Sequence, residues 1–223
     1  MTFRRTTFGP MIWASAATAV ILAGVATLAL HRVPAGTQLP THWNAAGEAD
    51  RFAEASTALF MPVLLVVGLS SVFALLPRLE PLQDRLDRSR ALLVTAWGGL
   101  LAMMSLVELM VAAPAFGLHA PATLILAAVG VLLIVIGNML PKSRPGFFVG
   151  IRTPWTILDE DNWVATHRLG AWTMIAGGAL ILLAALLPVG RDVRQVLVVA
   201  ALVVAILPPF GYSYLHWRRT ARG

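Results

Sequence analysis

The residues whose types and spacing could do chemistry fall in three places. The first is Leu39-Pro40-Thr41-His42-Trp43-Asn44, followed by Gly47, Glu48 and Asp50, which sets an imidazole, an indole, an amide and two carboxylates around a proline and a glycine. A metal held by His42 with Asp50 or Glu48 would want a second strong donor nearby, and there is none, so His42 reads as a hydrogen-bonded structural residue. Pro40 fixes φ and Gly47 permits a left-handed turn, so the segment is expected to be a compact loop stitched by hydrogen bonds from Asn44 and Asp50. The second place is the stretch 141–168. Arg152 stands beside Thr153, Pro154 and Thr156, a setting that suits a phosphate or a carboxylate, with lipid phosphate the simplest ligand. Trp163, Thr166 and His167 share one helical face at i, i+3 and i+4, while Asp159, Glu160 and Asp161 suit a helix N-terminus. The expected arrangement is a short interfacial helix with Trp155 and Trp163 at headgroup depth. Arg152 with His167 would be an acid/base pair, yet no nucleophile stands near it, and the chain has no GxGxxG, P-loop, HExxH or paired-carboxylate pattern. A non-enzymatic protein without cofactor or metal is expected. The third place is Glu108, the one acidic residue inside an apolar run. It is either a proton or ligand site facing other helices, paired with His31, Arg32 or Arg191, or a group that reaches interfacial water.

The elements that must position these groups follow from composition. The 223 residues are 58% hydrophobic and 13% charged, where a soluble domain carries about 25% charged residues. Apolar runs of ~20 residues, the length that crosses a bilayer, occur at 11–30, 58–77, 91–113, 120–140, 169–188 and 194–216. Pro34, Pro77, Pro114, Pro141 and Pro188 are expected at or beyond helix ends, and Pro208-Pro209 should kink or shorten the sixth helix. The first run is too long for the apolar core of a signal peptide and reads as an uncleaved anchor. The segment 78–90, with Glu80, Asp84, Arg85, Asp87 and Arg88, reads as a solvated helical extension with near-neighbour ion pairs.

Thirteen basic residues (Arg4, Arg5, Arg78, Arg85, Arg88, Arg90, Lys142, Arg144, Arg152, Arg168, Arg218, Arg219, Arg222) fall on one side of these spans and four (Arg32, Arg51, Arg191, Arg194) on the other. The positive-inside rule puts both termini in the cytoplasm, the loop 31–57 outside and the loop 141–168 inside. The charge of +6 is thereby explained by topology and anionic lipid, so direct nucleic-acid binding is not expected. With no Cys, disulfides and thiolate chemistry are excluded.

Both loops resemble the sporulation-delaying-protein immunity family. Gly137-Asn138, Gly150-Ile151-Arg152-Thr153-Pro154-Trp155-Thr156, Trp163 and Thr166-His167-Arg168-Leu169-Gly170 are similar to its signature region. Leu39-Pro40 with His42-Trp43-Asn44 and Gly47 is similar to the N-terminal domain of unknown function commonly joined to it. One departure is Gly146, where an Asn is expected before the aromatic pair Phe147-Phe148. The resemblance implies a polytopic membrane protein that neutralises a secreted antimicrobial toxin peptide and signals to a cytoplasmic winged-helix repressor. It also implies that Pro40, His42, Trp43, Asn44 and Gly47 outside, and Asn138, Arg152 to Thr156, Trp163, Thr166 and His167 inside, bind ligand or partner.

The resulting reading is an all-α, six-span protein of the bacterial cytoplasmic membrane with membrane lipids around it, an N-terminal unit at 1–90 and a C-terminal unit at 91–223. Two rivals are a small transporter using Glu108 and, behind it, a membrane-embedded enzyme acting on a lipid-linked substrate. The charge asymmetry predicts that a reporter active only outside the membrane gives signal when fused near Asn44 and none near Ser143. Signal at Ser143 would reverse the orientation.

Overall fold

The computed structural model describes residues 8–80 and 83–221, with the side chains of Gln83 and Asp84 left out; Arg4, Arg5 and Arg222 of the basic count lie outside the described residues. Seven α-helices and one hairpin are formed: α1 Gly9–Leu30, β1 Gln38–Trp43, β2 Ala49–Glu54, α2 Ala55–Leu79, α3 Gln83–Ala112, α4 Thr123–Met139, α5 Pro154–Leu158, α6 Glu160–Leu186 and α7 Arg191–Thr220. All but α5 are long and apolar enough to cross a membrane, which gives six candidate spans. The protein is a polytopic, all-α membrane protein with one small two-stranded addition. Successive spans run antiparallel. The hairpin and the α3–α4 and α6–α7 turns lie at one end, and the segment 140–159 lies at the other.

Two three-helix groups make up the fold. In the first, α1, α2 and α3 pack together. Trp97 of α3 is fully buried, and its indole N–H donates to Ser15 of α1 at 2.9 Å and Ser70 of α2 at 3.1 Å. A polar group in hydrocarbon must find its partner inside the protein, so these serines fix the height of all three helices. In the second, α6 lies between α4 and α7. Glycines do the work there. A Cβ on Gly130 would come 2.7 Å from the carbonyl of Gly178, one on Gly178 2.5 Å from that of Gly130, and one on Gly177 2.6 Å from that of Ala201. Helices in lipid gain no hydrophobic drive from meeting each other, so close backbone contact between small residues supplies dispersion instead. Direct helix packing between the groups runs along α3 and α4.

Pro34, Pro114, Pro141 and Pro188 lie beyond α-helix ends as expected, and two other sites differ. Pro77 lies inside the last turn of α2, and α7 continues through Pro208 and Pro209 to Thr220. Pro209 has no N–H for the carbonyl of Ala205, and the Thr173 hydroxyl of α6 donates to that oxygen at 3.3 Å. A freed carbonyl re-satisfied by a neighbouring helix removes the main reason for a break. Gly178→Ala should therefore lower the thermal unfolding midpoint in detergent, with overpacking costing ~1–3 kcal/mol. Gly24→Ala, where nothing lies within 4 Å of the added Cβ, should not.

Candidate functional site

The sequence-predicted residues gather at the two ends. At the hairpin end, β1 and β2 pair antiparallel, with Pro40 opposite Phe52 and Trp43 opposite Ala49. The register slips around His42, where Thr41 and then Asp50 are bulged out of the ladder. Pro40 has no N–H to give to the ladder, which suits it to an irregular two-stranded ribbon. Asn44 turns the chain: its side-chain oxygen accepts from the N–H groups of Ala46 and Glu48, and Gly47 takes φ +78°. His42 Nδ1 lies 2.6 Å from Asp50 Oδ1 on the exposed face. No cluster of three metal-ligating side chains occurs among the described residues.

Trp43 is not an outward anchor. It packs, half-buried, with Leu39 and Ala53 against Ala26, Ala29, Ala58, Leu59 and Val111 of the first helix group. The exposed aromatic of the hairpin is Phe52, at 57% accessibility, a residue that sequence reasoning missed. Beneath β1 a cavity of about 320 Å³ is lined by Thr41, His42 and Trp43 with Met61, Met103 and Met104 among its apolar walls. Glu108 is fully buried, and neither carboxylate oxygen has a hydrogen-bond partner among the described residues. Two of the three expected cations are engaged elsewhere: Arg32 sits over the Phe116 ring, and Arg191 lies 3.9 Å from Glu48 and 3.7 Å from Asp192.

At the opposite end, the segment 143–153 is a strap held from both sides. From α6, Trp163 and His167 stack with ring centroids 4.0 Å apart, both fully buried. The Trp163 indole N–H donates to Ser143 Oγ at 3.3 Å. His167 Nε2 accepts from the N–H of Ile151 at 2.9 Å, which leaves Nδ1 carrying the proton toward the Trp163 carbonyl at 2.8 Å. Gly150 passes over this pair at φ +111°, and a Cβ there would lie 2.6 Å from His167 Nε2. Trp163 is thus buried in the protein, near the end of the span, and not exposed to lipid. The i, i+3, i+4 spacing specified a shared face, and that face meets the strap and α7.

Arg152 is exposed, and its guanidinium donates to the Phe147 carbonyl at 2.8 Å. The neighbouring threonines are not free for a ligand. Thr153 caps α5 and accepts from Thr156 N–H at 3.2 Å, while Thr156 Oγ1 accepts from Thr153 N–H at 2.9 Å. Pro154 occupies the first turn of α5, where its missing N–H costs nothing. The acid/base pairing of Arg152 with His167 is not assembled, since both imidazole nitrogens are committed to backbone. Thr166 donates to Asn162, whose amide donates to the Ser213 carbonyl of α7 at 2.9 Å. Trp155 packs on Tyr214 and Trp217. Asn138 is exposed on α4 and stands apart from this cluster.

The other side of the strap was illegible in the sequence. Glu80, 3% accessible, accepts from the N–H groups of Phe147 at 3.0 Å and Phe148 at 3.3 Å through Oε2. Ser89 accepts from Arg144 N–H at 2.9 Å and lies 3.3 Å from its carbonyl. Residues 83–90 are helical with Asp87, Arg88 and Arg90 exposed, as a solvated extension should be, but Glu80 and Ser89 turn inward and dock the strap through its backbone. Gly146 gains a meaning here, since a Cβ on it would start 3.4 Å from the Glu80 carboxylate.

Comparison with known proteins follows these two ends. Residues 142–213 match the SdpI/YfhL protein family, which takes in the strap, α5, α6 and most of α7. Residues 17–66 match a domain of unknown function, DUF1648, which spans most of α1, the hairpin and the start of α2. Immunity protein SdpI of Bacillus subtilis (strain 168) is 24% identical over 179 residues, covering 78% of this chain and 83% of that protein. No solved structure matches. The SdpI resemblance read from the two loops is thus confirmed.

Proposed function

We propose that this protein is a membrane immunity protein of the bacterial cytoplasmic membrane, which receives a secreted antimicrobial peptide at the hairpin and reports it to a cytoplasmic repressor through the strap. The likeness to Immunity protein SdpI over 78% of the chain carries the reading. The thirteen-to-four charge asymmetry supports the hairpin lying outside and the strap inside, with both termini cytoplasmic. The hairpin offers a receiving surface of Phe52, His42 and Asp50 above an apolar, methionine-lined cavity. Methionine adapts to irregular apolar ligands, which suits a membrane-active peptide. Inside, Arg152 and the ring cluster of Trp155, Tyr214 and Trp217 form the face a regulator or lipid headgroup meets.

A second reading has one observation in its favour. Glu108, buried with two unpartnered oxygens, is the kind of intramembrane carboxyl that marks ion or substrate pathways. A transporter reading therefore centres on α3 and predicts that Glu108→Gln abolishes function while leaving the hairpin and strap intact.

The immunity reading predicts that a sensitive bacterium expressing the chain grows in the peptide fraction secreted by the encoding strain, at concentrations that kill the empty-vector control. Phe52→Ala should weaken protection by roughly tenfold or more in peptide concentration, the scale of a lost aromatic anchor. Trp43→Ala should act differently, reducing the folded amount through its packing beneath the hairpin. Full protection by Phe52→Ala at normal membrane level would remove the hairpin as the receiving surface.

A further inference from the structure

The two helix groups meet chiefly along α3 and α4, with Leu140, Val149 and Ala171 of the second group sharing an apolar cluster with Leu86, Leu92 and Leu93 of α3 near the strap, and each end of that seam is bridged by a polar clamp. At the hairpin end, β1 and β2 pack on the first group through Leu39, Trp43 and Ala53, while the apex lies on the second. Arg194 of α7 fastens it. Its guanidinium donates to the carbonyls of Ala46 at 3.2 Å, Ala184 at 3.0 Å and Val189 at 3.1 Å, joining the hairpin apex to the ends of α6 and α7. Gly47 rests against α4, where an added Cβ would meet Leu126 at 3.3 Å and Thr123 at 3.4 Å. At the strap end the arrangement is reversed. The strap belongs to the second group, fixed there by Trp163 and His167, and reaches the first group through Glu80 and Ser89. Each group thus sends one element across the seam, at opposite ends of helices about 25 to 45 Å long at ~1.5 Å per residue.

The second group moves as a unit, because its backbones touch at Gly130, Gly177 and Gly178. Two bodies joined mainly along one helix pair can rock about it, and each closed clamp reduces that freedom. A first link makes the second intramolecular and raises its effective concentration, so the two clamps reinforce each other without touching. We propose that Arg194 and Glu80 form a coupled pair of clamps, by which release of the hairpin apex on one side of the membrane loosens the strap at Phe147 and Phe148 on the other. Which event releases the apex in the cell rests on the receiving role proposed above; the coupling itself does not. By linkage the effect runs both ways, so loss of the Glu80 clamp loosens the hairpin apex to the same degree.

Amide hydrogen exchange of the full chain in lipid nanodiscs, without ligand, tests this. In Arg194→Gln, exchange at Phe147 and Phe148 should rise about fivefold or more, the lower range of ordinary coupling between sites. In Glu80→Ala, exchange at Ala46, Gly47 and Glu48 should rise by a similar factor. Exchange in α6 around Gly177 to Ile181 reports folding and should stay unchanged. If Arg194→Gln raises it, Arg194→Lys decides the matter, because an ammonium keeps the charge yet cannot serve all three carbonyls as the planar fork does. A strap response in Arg194→Lys with a quiet α6 supports the coupling. A rise confined to the hairpin end, with Phe147 and Phe148 at the wild-type rate, overturns it. Phe52→Ala should leave all these rates unchanged even where it abolishes protection, so a failed receiving surface and a failed coupling give different results.

Discussion

A buried carboxylate receiving two backbone N–H groups is the contact on which the arrangement of this chain depends. Glu80 ends α2, yet its oxygen is spent on Phe147 and Phe148 of the strap between α4 and α5. Charge-assisted bonds of this kind are roughly twice as strong as neutral ones, and an unpaired buried carboxylate is costly, so the strap and α2 cannot part cheaply. Once the strap is seated, the rest follows. Gly150 can pass over the imidazole, His167 can take the N–H of Ile151, and Trp163 can find Ser143. The family-matched region begins at this strap, which gives its run of Gly, Arg, Thr, Pro and Trp a structural purpose: to lay an irregular segment across the ends of α2, α3 and α6 with its polar groups satisfied.

The two helix groups are built on different principles. The first uses large side chains and a shared polar bond at Trp97 near the strap, and alanines of α1 and α2 beneath the hairpin. The second uses glycine and alanine, bringing backbones together at Gly130, Gly177 and Gly178. The second is therefore the stiffer body. The first contains Pro62 inside α2 and the unpartnered carboxyl of Glu108. A buried carboxyl with both oxygens unpartnered among the described residues is a natural place for ligand-dependent change, and the hairpin that caps the first group is joined to the second at Arg194.

The six spans were legible because length and hydropathy are one-dimensional properties that the bilayer reads directly. The hairpin was not. Its strands hold Pro40, two bulges and no clean alternation, and the polar groups of Asn44 and Asp50 suggested only a compact loop. Periodicity placed Trp163, Thr166 and His167 on one face, but what a face meets is unknown until its neighbours are, and Trp163 is wholly covered by protein. Pro208 and Pro209 suggested a break because the sequence gives no sign of Thr173 donating from another helix. Glu80 was read with the charges beside it, since a partner made of backbone N–H groups sixty-seven positions away leaves no residue signature.

The central claim is that the strap holds two otherwise separable helix groups in one geometry. The chain has no Cys, so spin labels placed on Cys at the lipid-facing positions Val67 of α2 and Val203 of α7 occupy the sole reactive thiols. Pulsed electron-electron resonance on that pair in nanodiscs measures the distance between the groups directly. The account predicts one narrow distance distribution in the otherwise unchanged protein, and a broadened or shifted one when Glu80→Ala is added. A distribution that keeps its width and centre after loss of the Glu80 carboxylate would contradict it.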